Sequence, residues 1–183
     1  PTACALICEH PCEARCRRSM IDAPVNIRGL KRKAVDEAPA NTVPVPEKAA
    51  STGKRVAIIG GGPSGLSAAY YLAVKGYHVT VFEKEKTLGG MLTLGIPSFR
   101  LDKSVVKSEI DVLKELGVEF RCGVEVGKDV TIAQLREEGY KGFYVAIGCQ
   151  GGRLPGIPGQ DLNGVTTAID FLHDANCGQM SLT

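Results

Sequence analysis

Arg55-Val56-Ala57-Ile58-Ile59 leads directly into Gly60-Gly61-Gly62-Pro63-Ser64-Gly65, and His78-Val79-Thr80-Val81-Phe82-Glu83 follows a short helical pattern. The apolar run Val56–Ile59 is too short for a solvent-facing helix and suits a central parallel strand covered on both faces. Leu66, Ala69, Tyr70 and Ala73 recur at i, i+3, i+4 and i+7, one apolar face of a helix, and Gly76 is placed to end it. The order is strand, glycine turn, helix, second strand and terminal acid.

Each part has a task in holding a dinucleotide. Gly60, Gly62 and Gly65 match G-x-G-x-x-G. The first glycine makes the tight turn, the second lets a pyrophosphate approach the backbone, and the third lets helix and strand pack closely. The helix N-terminus offers unpaired N–H groups and its positive dipole end to phosphates. Glu83 is placed to accept hydrogen bonds from ribose hydroxyls, and its charge argues against an NADP 2′-phosphate there. A glycine triplet alone is equally a flexible loop; the ordered surroundings set this one apart. FAD and NAD share the ADP half, so the motif alone does not separate them.

The residues after Glu83 decide between them. Lys84-Glu85-Lys86-Thr87-Leu88-Gly89-Gly90-Met91 is followed by Gly95-Ile96-Pro97-Ser98-Phe99-Arg100-Leu101-Asp102-Lys103. This phrase closely resembles the small subunit of glutamate synthase and its relatives, among them the N-terminal part of dihydropyrimidine dehydrogenase. Asp102 stands where proline is usual, and it is placed to cap the following helix instead. Gly123-Val124-Glu125-Val126-Gly127-Lys128-Asp129, Tyr144-Val145-Ala146-Ile147-Gly148 and Ile157-Pro158-Gly159 extend the likeness along nearly the whole chain. The resemblance implies an α/β, Rossmann-like FAD-binding unit. Its cofactor-binding residues would be Gly60, Gly61, Gly62, Pro63, Ser64, Gly65, Glu83, Lys84, Gly90, Met91, Arg100, Val126, Ala146 and Gly148. Val126 would lie against the adenine, and Gly148 where the chain passes the flavin.

Of seven cysteines, Cys4, Cys8, Cys12 and Cys16 crowd the start at even spacing, while Cys122, Cys149 and Cys177 read as small buried or incidental thiols. Disulfides suit the even set poorly in a chain of this type. Zinc, an iron–sulfur cluster and a bare helix stripe all remain open from spacing alone. The phrase Cys8-Glu9-His10-Pro11-Cys12-Glu13-Ala14-Arg15-Cys16, followed by Pro24-Val25-Asn26-Ile27, is similar to the second cysteine group of the same family. That implies a 4Fe–4S cluster with Cys4, Cys8, Cys12 and Cys16 as ligands. Lys31 stands near the place where dihydropyrimidine dehydrogenase uses a glutamine, and is a poor ligand while charged.

The organisation expected is a small α-helical iron–sulfur segment over residues 1–37, ending in a helix from Pro24 to Glu37. A linker rich in Ala and Pro follows over 38–53, with Pro39, Pro44 and Pro46, then the first half of the FAD unit over 54–167 and a link over 168–183 toward an NAD(P)H domain. Within the FAD unit, Val106, Ile110 and Leu113 mark a helix ended by Gly117, Thr131 and Gln134 a capping box, and Gly142 to Ile147 a strand. The tail after Asp170 carries little signal. The 183 residues begin with Pro1, and members of the resembled family are more than twice as long, so a fragment is expected.

The net charge of +2 implies neither nucleic acid nor a membrane partner. No apolar run approaches the roughly 20 residues that span a bilayer, and a cytoplasmic, reducing compartment is expected. The basic run Arg28–Lys33 reads as a solvated helix face, with an acidic electron partner the sharper alternative. His10, His78 and His173 lie in no triad, and no catalytic acid or base is named. The function implied is FAD- and iron–sulfur-dependent electron transfer from NAD(P)H, in the longer protein, to a partner subunit or acceptor. The alternative is a non-catalytic FAD-binding or relay module; a plain NAD-dependent dehydrogenase is disfavoured by Gly89-Gly90 and the Gly95–Arg100 phrase.

Overall fold

The structure, a computed structural model, describes residues 2–38 and 45–178. Pro1, Pro39, Pro44 and the tail from 179 onward lie outside the described residues. The core is a four-stranded parallel sheet in the order β3-β2-β1-β4, formed by β1 (Arg55–Ile59), β2 (His78–Glu83), β3 (Glu119–Cys122) and β4 (Tyr140–Val145). β1, central and flanked by β2 and β4, is buried along Val56–Ile59, as its apolar run requires. Alternate residues serve opposite faces. Ile58, Val79 and Val81 pack beneath α4 (Pro63–Val74) and α6 (Lys103–Glu115). Ala57, Phe82 and Tyr140 pack on the other side with Leu135 of α7 (Ile132–Glu137).

The helix ends follow their local chemistry. α4 stops at Val74 with Gly76 at φ 82°, where an added Cβ would meet the Ala50 carbonyl oxygen at 2.2 Å. Asp102 caps α6 by accepting the Ser104 N–H at 2.8 Å, and Thr131 and Gln134 make the reciprocal capping box of α7. Gly117, at φ 78°, follows α6.

Several expectations shift. β4 begins at Tyr140 rather than Gly142 and ends at Val145, because the Tyr140 ring is fully buried at the strand's start. Its hydroxyl donates to Thr80 Oγ1 at 3.0 Å, and the Arg55 guanidinium lies 4.2 Å over the ring. The N-terminal segment holds α1 (Thr2–Ile7), α2 (Pro11–Ala14), a 3-10 turn over Arg17–Met20 and α3 (Ile27–Glu37). α3 starts at Ile27 rather than Pro24, since Asn26 takes the cap position and accepts the Gly29 N–H at 2.8 Å. Residues 45–54 carry no helix or strand but are tied to the sheet unit, through Ala49 N–H to Val74 O and Lys48 Nζ to Leu116 O.

A helix also stands where the tail carried little signal: α8 (Ala168–Cys177), capped by Thr167 and closed by Gly178 at φ 68°. Its marker was present in the sequence as Thr167-x-x-Asp170 with Gly178 beyond. Cys122, Cys149 and Cys177 are all exposed rather than buried.

Candidate functional site

The glycine turn sits at the C-terminal ends of β1 and β2, beside the crevice where the strand order reverses between β1 and β4. Gly60 has φ 108°, and a Cβ there would fall 2.3 Å from the Ala146 carbonyl oxygen; Ala146 N–H in turn donates to Ile59 O at 2.8 Å. A Cβ on Gly65 would fall 1.9 Å from the Gly60 carbonyl oxygen, so only glycine lets α4 close onto β1 here. Gly62 is different. A Cβ there would meet only the Gly90 Cα, at 3.8 Å, with open space otherwise. The turn is therefore tight at its first and third glycines and open at its second, as a phosphate cradle requires. The first-turn N–H groups of α4 lack intrahelical partners, and no acid occupies that turn.

A second glycine pair faces the first. Gly89 (φ 109°) donates its N–H to Gly61 O at 2.8 Å, and Gly90 (φ 53°) comes so close that a Cβ would lie 2.9 Å from Gly62 Cα. From Gly90 the chain enters the four-residue α5 (Met91–Leu94). Glu83 is 6 % exposed at the end of β2. Each carboxylate oxygen accepts one backbone N–H, Oε2 from Gly61 at 2.6 Å and Oε1 from Glu85 at 2.9 Å. The acid thus fixes the glycine turn as well as presenting a buried negative charge beside it.

The other expected residues spread outward. Lys84 and Met91 are exposed beside this cleft, and Arg100 is exposed on the loop after α5, next to a Phe99 that is 88 % exposed. Val126 is half-buried against the Phe82–Tyr140 cluster, on a segment joined to β2 by Val124 N–H to Glu83 O at 3.0 Å. Gly148 has φ 70° with open space where a Cβ would stand. Pro63 and Ser64 are exposed at the start of α4, and Ser64 Oγ lies 3.1 Å from the Tyr144 hydroxyl. Tyr144 was not among the expected site residues. It ties β4 to the glycine turn, and only the strand pairing reveals that.

The cysteines are less assembled. The Cys4 and Cys8 thiols approach each other, and Lys31 Nζ donates to Cys4 Sγ at 3.6 Å. The His10 N–H, 3.4 Å from Cys8 Sγ, holds that thiol below its ordinary pKa, with the Lys31 charge adding to it. His10 has φ 43°, the left-handed turn that separates Cys8 from α2, and its Nδ1 lies 3.2 Å from Glu13. Soft sulfurs, an N–H···S contact and a nearby cation suit thiolate chemistry. Yet among the described residues no three His, Cys, Asp or Glu side chains converge to hold a metal, so Cys12 and Cys16 are not drawn to the Cys4–Cys8 pair.

This fold and cradle define a Rossmann-type dinucleotide-binding domain, and the profile of the NAD(P)-binding Rossmann-like domain family matches residues 58–107. The chain is 40% identical to the NADP(+)-dependent formate dehydrogenase subunit beta of Moorella thermoacetica, over 93% of this chain and 27% of that protein. It is 37% identical to the glutamate synthase [NADPH] small chain of Bacillus subtilis, over 91% of this chain and 34% of that one. Mycobacterium tuberculosis FprA, solved in complex with NADPH, superposes with a TM-score of 0.60 at 30% identity, over 67% of this chain and 29% of that chain. The chain is thus similar to the glutamate synthase small chain and its relatives along most of its own length, as its motifs imply, and spans only about a third or less of the length of these proteins. Among the described residues no helix is long and apolar enough to cross a membrane.

Proposed function

We propose that this chain holds FAD on Gly60–Gly65, Glu83 and Gly90. In the complete polypeptide it would belong to an NAD(P)H-dependent electron-transfer subunit serving a partner subunit or acceptor protein in the cytoplasm. The observation that carries the reading is the apposition of two glycine segments, Gly62 and Gly90, over a turn whose N–H is held by a buried acid. When bound, FAD supplies acceptance of a hydride and release of single electrons. The chain's own residues bind and orient. The Gly62 backbone and the first turn of α4 would face the pyrophosphate, Glu83 the adenosine ribose, and Val126 the adenine. Lys84, Met91, Arg100, Ala146 and Gly148 would line the remainder. The buried charge of Glu83 disfavours an NADP 2′-phosphate in this cradle, although the matching family profile is described by NAD(P) binding.

The same reading makes Cys4, Cys8, Cys12 and Cys16 ligands of a 4Fe–4S centre. The His10 N–H that lowers the Cys8 thiol's pKa and the Lys31 ammonium 3.6 Å from Cys4 Sγ support it. The present geometry does not close the ligand set, and metal binding would have to draw Cys12 and Cys16 in. The test is the visible spectrum of anaerobically purified chain. Two resolved yellow bands are expected for flavin, and a broad brown shoulder bleached by dithionite for the cluster. A colourless protein that stays colourless after FAD, iron and sulfide are supplied refutes both.

A further inference from the structure

Lys103 stands where local rules disfavour it. It is the first residue of α6, at the positive end of the helix dipole, and burial pulls its pKa below the ordinary lysine value. A residue that breaks local rules is expected to have its compensation in tertiary structure. Here the compensation lies on α5. Lys103 Nζ donates to Leu92 O at 3.0 Å, within α5, and to Ile96 O, two residues past its end, where so short a helix leaves carbonyls without helical partners. Asn176 of α8 grips the same end, its Nδ2 donating to Leu94 O at 2.9 Å. α5 is therefore a strut. One end is Gly90, pressed on Gly62; the other is held by Lys103 and Asn176.

We infer that Lys103 is a positioning residue for the dinucleotide: by gripping the Leu92 and Ile96 carbonyls it fixes how closely Gly90 approaches Gly62, and so sets cofactor affinity. This rests on the FAD reading above. Its ammonium is committed to backbone carbonyls, so the effect runs through loop geometry rather than through attraction to phosphate.

The experiment titrates FAD into the full chain and its K103M and K103R forms at low and high salt. Hydrogen exchange is followed separately over residues 92–101 and over β1 and β2. K103M is expected to weaken FAD binding about tenfold, the loss of one to two hydrogen bonds to a charged donor. That weakening should be similar at both salt concentrations, with faster exchange in 92–101 and unchanged protection of β1 and β2. K103R, which also offers several N–H donors, should recover most of the affinity. Three results overturn the inference: K103M binding FAD like the unsubstituted chain, a K103M defect that vanishes in high salt, or no recovery in K103R. If K103M also loosens β1 and β2, recovery by K103R still decides. Failure of the unsubstituted chain to bind FAD overturns the cofactor reading and this inference together, whereas binding by both forms alike overturns this inference alone.

Discussion

Replacing Glu83 with glutamine keeps the side chain's shape and removes what the carboxylate does. Its two oxygens accept two separate backbone N–H groups, Gly61 at 2.6 Å and Glu85 at 2.9 Å, in a site 6 % exposed. An amide has one oxygen, so in either orientation its NH2 must face an N–H. One charge-assisted bond, worth about 1.5–3 kcal/mol, is lost, and a buried donor left unpaired costs about 1–3 kcal/mol. Removing a buried charge returns part of its desolvation cost, leaving a net loss of about 1–3 kcal/mol. With a urea m-value of about 1–3 kcal/mol/M, the midpoint of the cofactor-free chain should fall by roughly 1 M at unchanged m. A midpoint within about 0.2 M of the unsubstituted chain would refute the claim that Glu83 holds the glycine turn through both oxygens.

Gly65→Ala places a methyl 1.9 Å from the Gly60 carbonyl oxygen and 3.2 Å from Ile58 Cγ2. Backbone must move, so about 1–3 kcal/mol or more of stability should be lost, read as a lower thermal midpoint; an unchanged midpoint contradicts the close packing of α4 on β1. Thr131→Ala removes the α7 capping box and should cost about 1 kcal/mol, with Thr131→Ser recovering most of it in the same denaturation assay. Acid should also weaken the fold. The Ser104 N–H holds Asp102 below its ordinary pKa, and the Lys114 ammonium does the same for Asp111. Depressed folded-state values mean stability that is complete above the unfolded pKa of about 3.9 and drains as pH falls through the folded values. A thermal midpoint that stays flat from pH 5 to pH 2.5 would count against those pairings.

What the sequence made legible were features with a local cause. The β1–α4–β2 unit follows from an apolar run, a glycine spacing and an i, i+4 stripe, and each recurs in the structure. The same holds for the Asp102 cap and the Thr131–Gln134 box. Features with a distant cause were hidden. β4 starts at Tyr140 because its hydroxyl finds Thr80 on a strand sixty residues earlier in the chain, and no window of sequence contains both. Tyr144 meets Ser64 only after β1 and β4 pair. The role of Lys103 depends on carbonyls, which carry no side-chain signature at all. α8 is the exception, since its Thr167–Asp170 start and Gly178 stop were local signals lying in an otherwise weak tail.

α6 joins the two halves of the proposed electron path. Its buried stripe is divided: Leu113 faces the sheet with Ile58 and Val81, while Val106 and Ile110 face the cysteine segment, packed with Ala3, Leu6 and Ile7 of α1. Glu109 adds a polar tie at the same contact, accepting the Ala3 N–H at 3.0 Å. Cys4 lies on α1 itself and Cys8 directly follows it. The N-terminal end of the same helix carries Lys103 and, through it, the loop that closes on Gly62. One rigid element of 13 residues, about 20 Å long at 1.5 Å per residue, therefore seats the cysteine-bearing α1 at one contact and the loop carrying Gly90 at another. A helix seated by apolar burial on the sheet and α1, and by Lys103 on the α5 carbonyls, fixes their separation more firmly than a linker would. The two proposed sites are thereby positioned by the same core that stabilises the fold, so a substitution that loosens α6 should disturb both together.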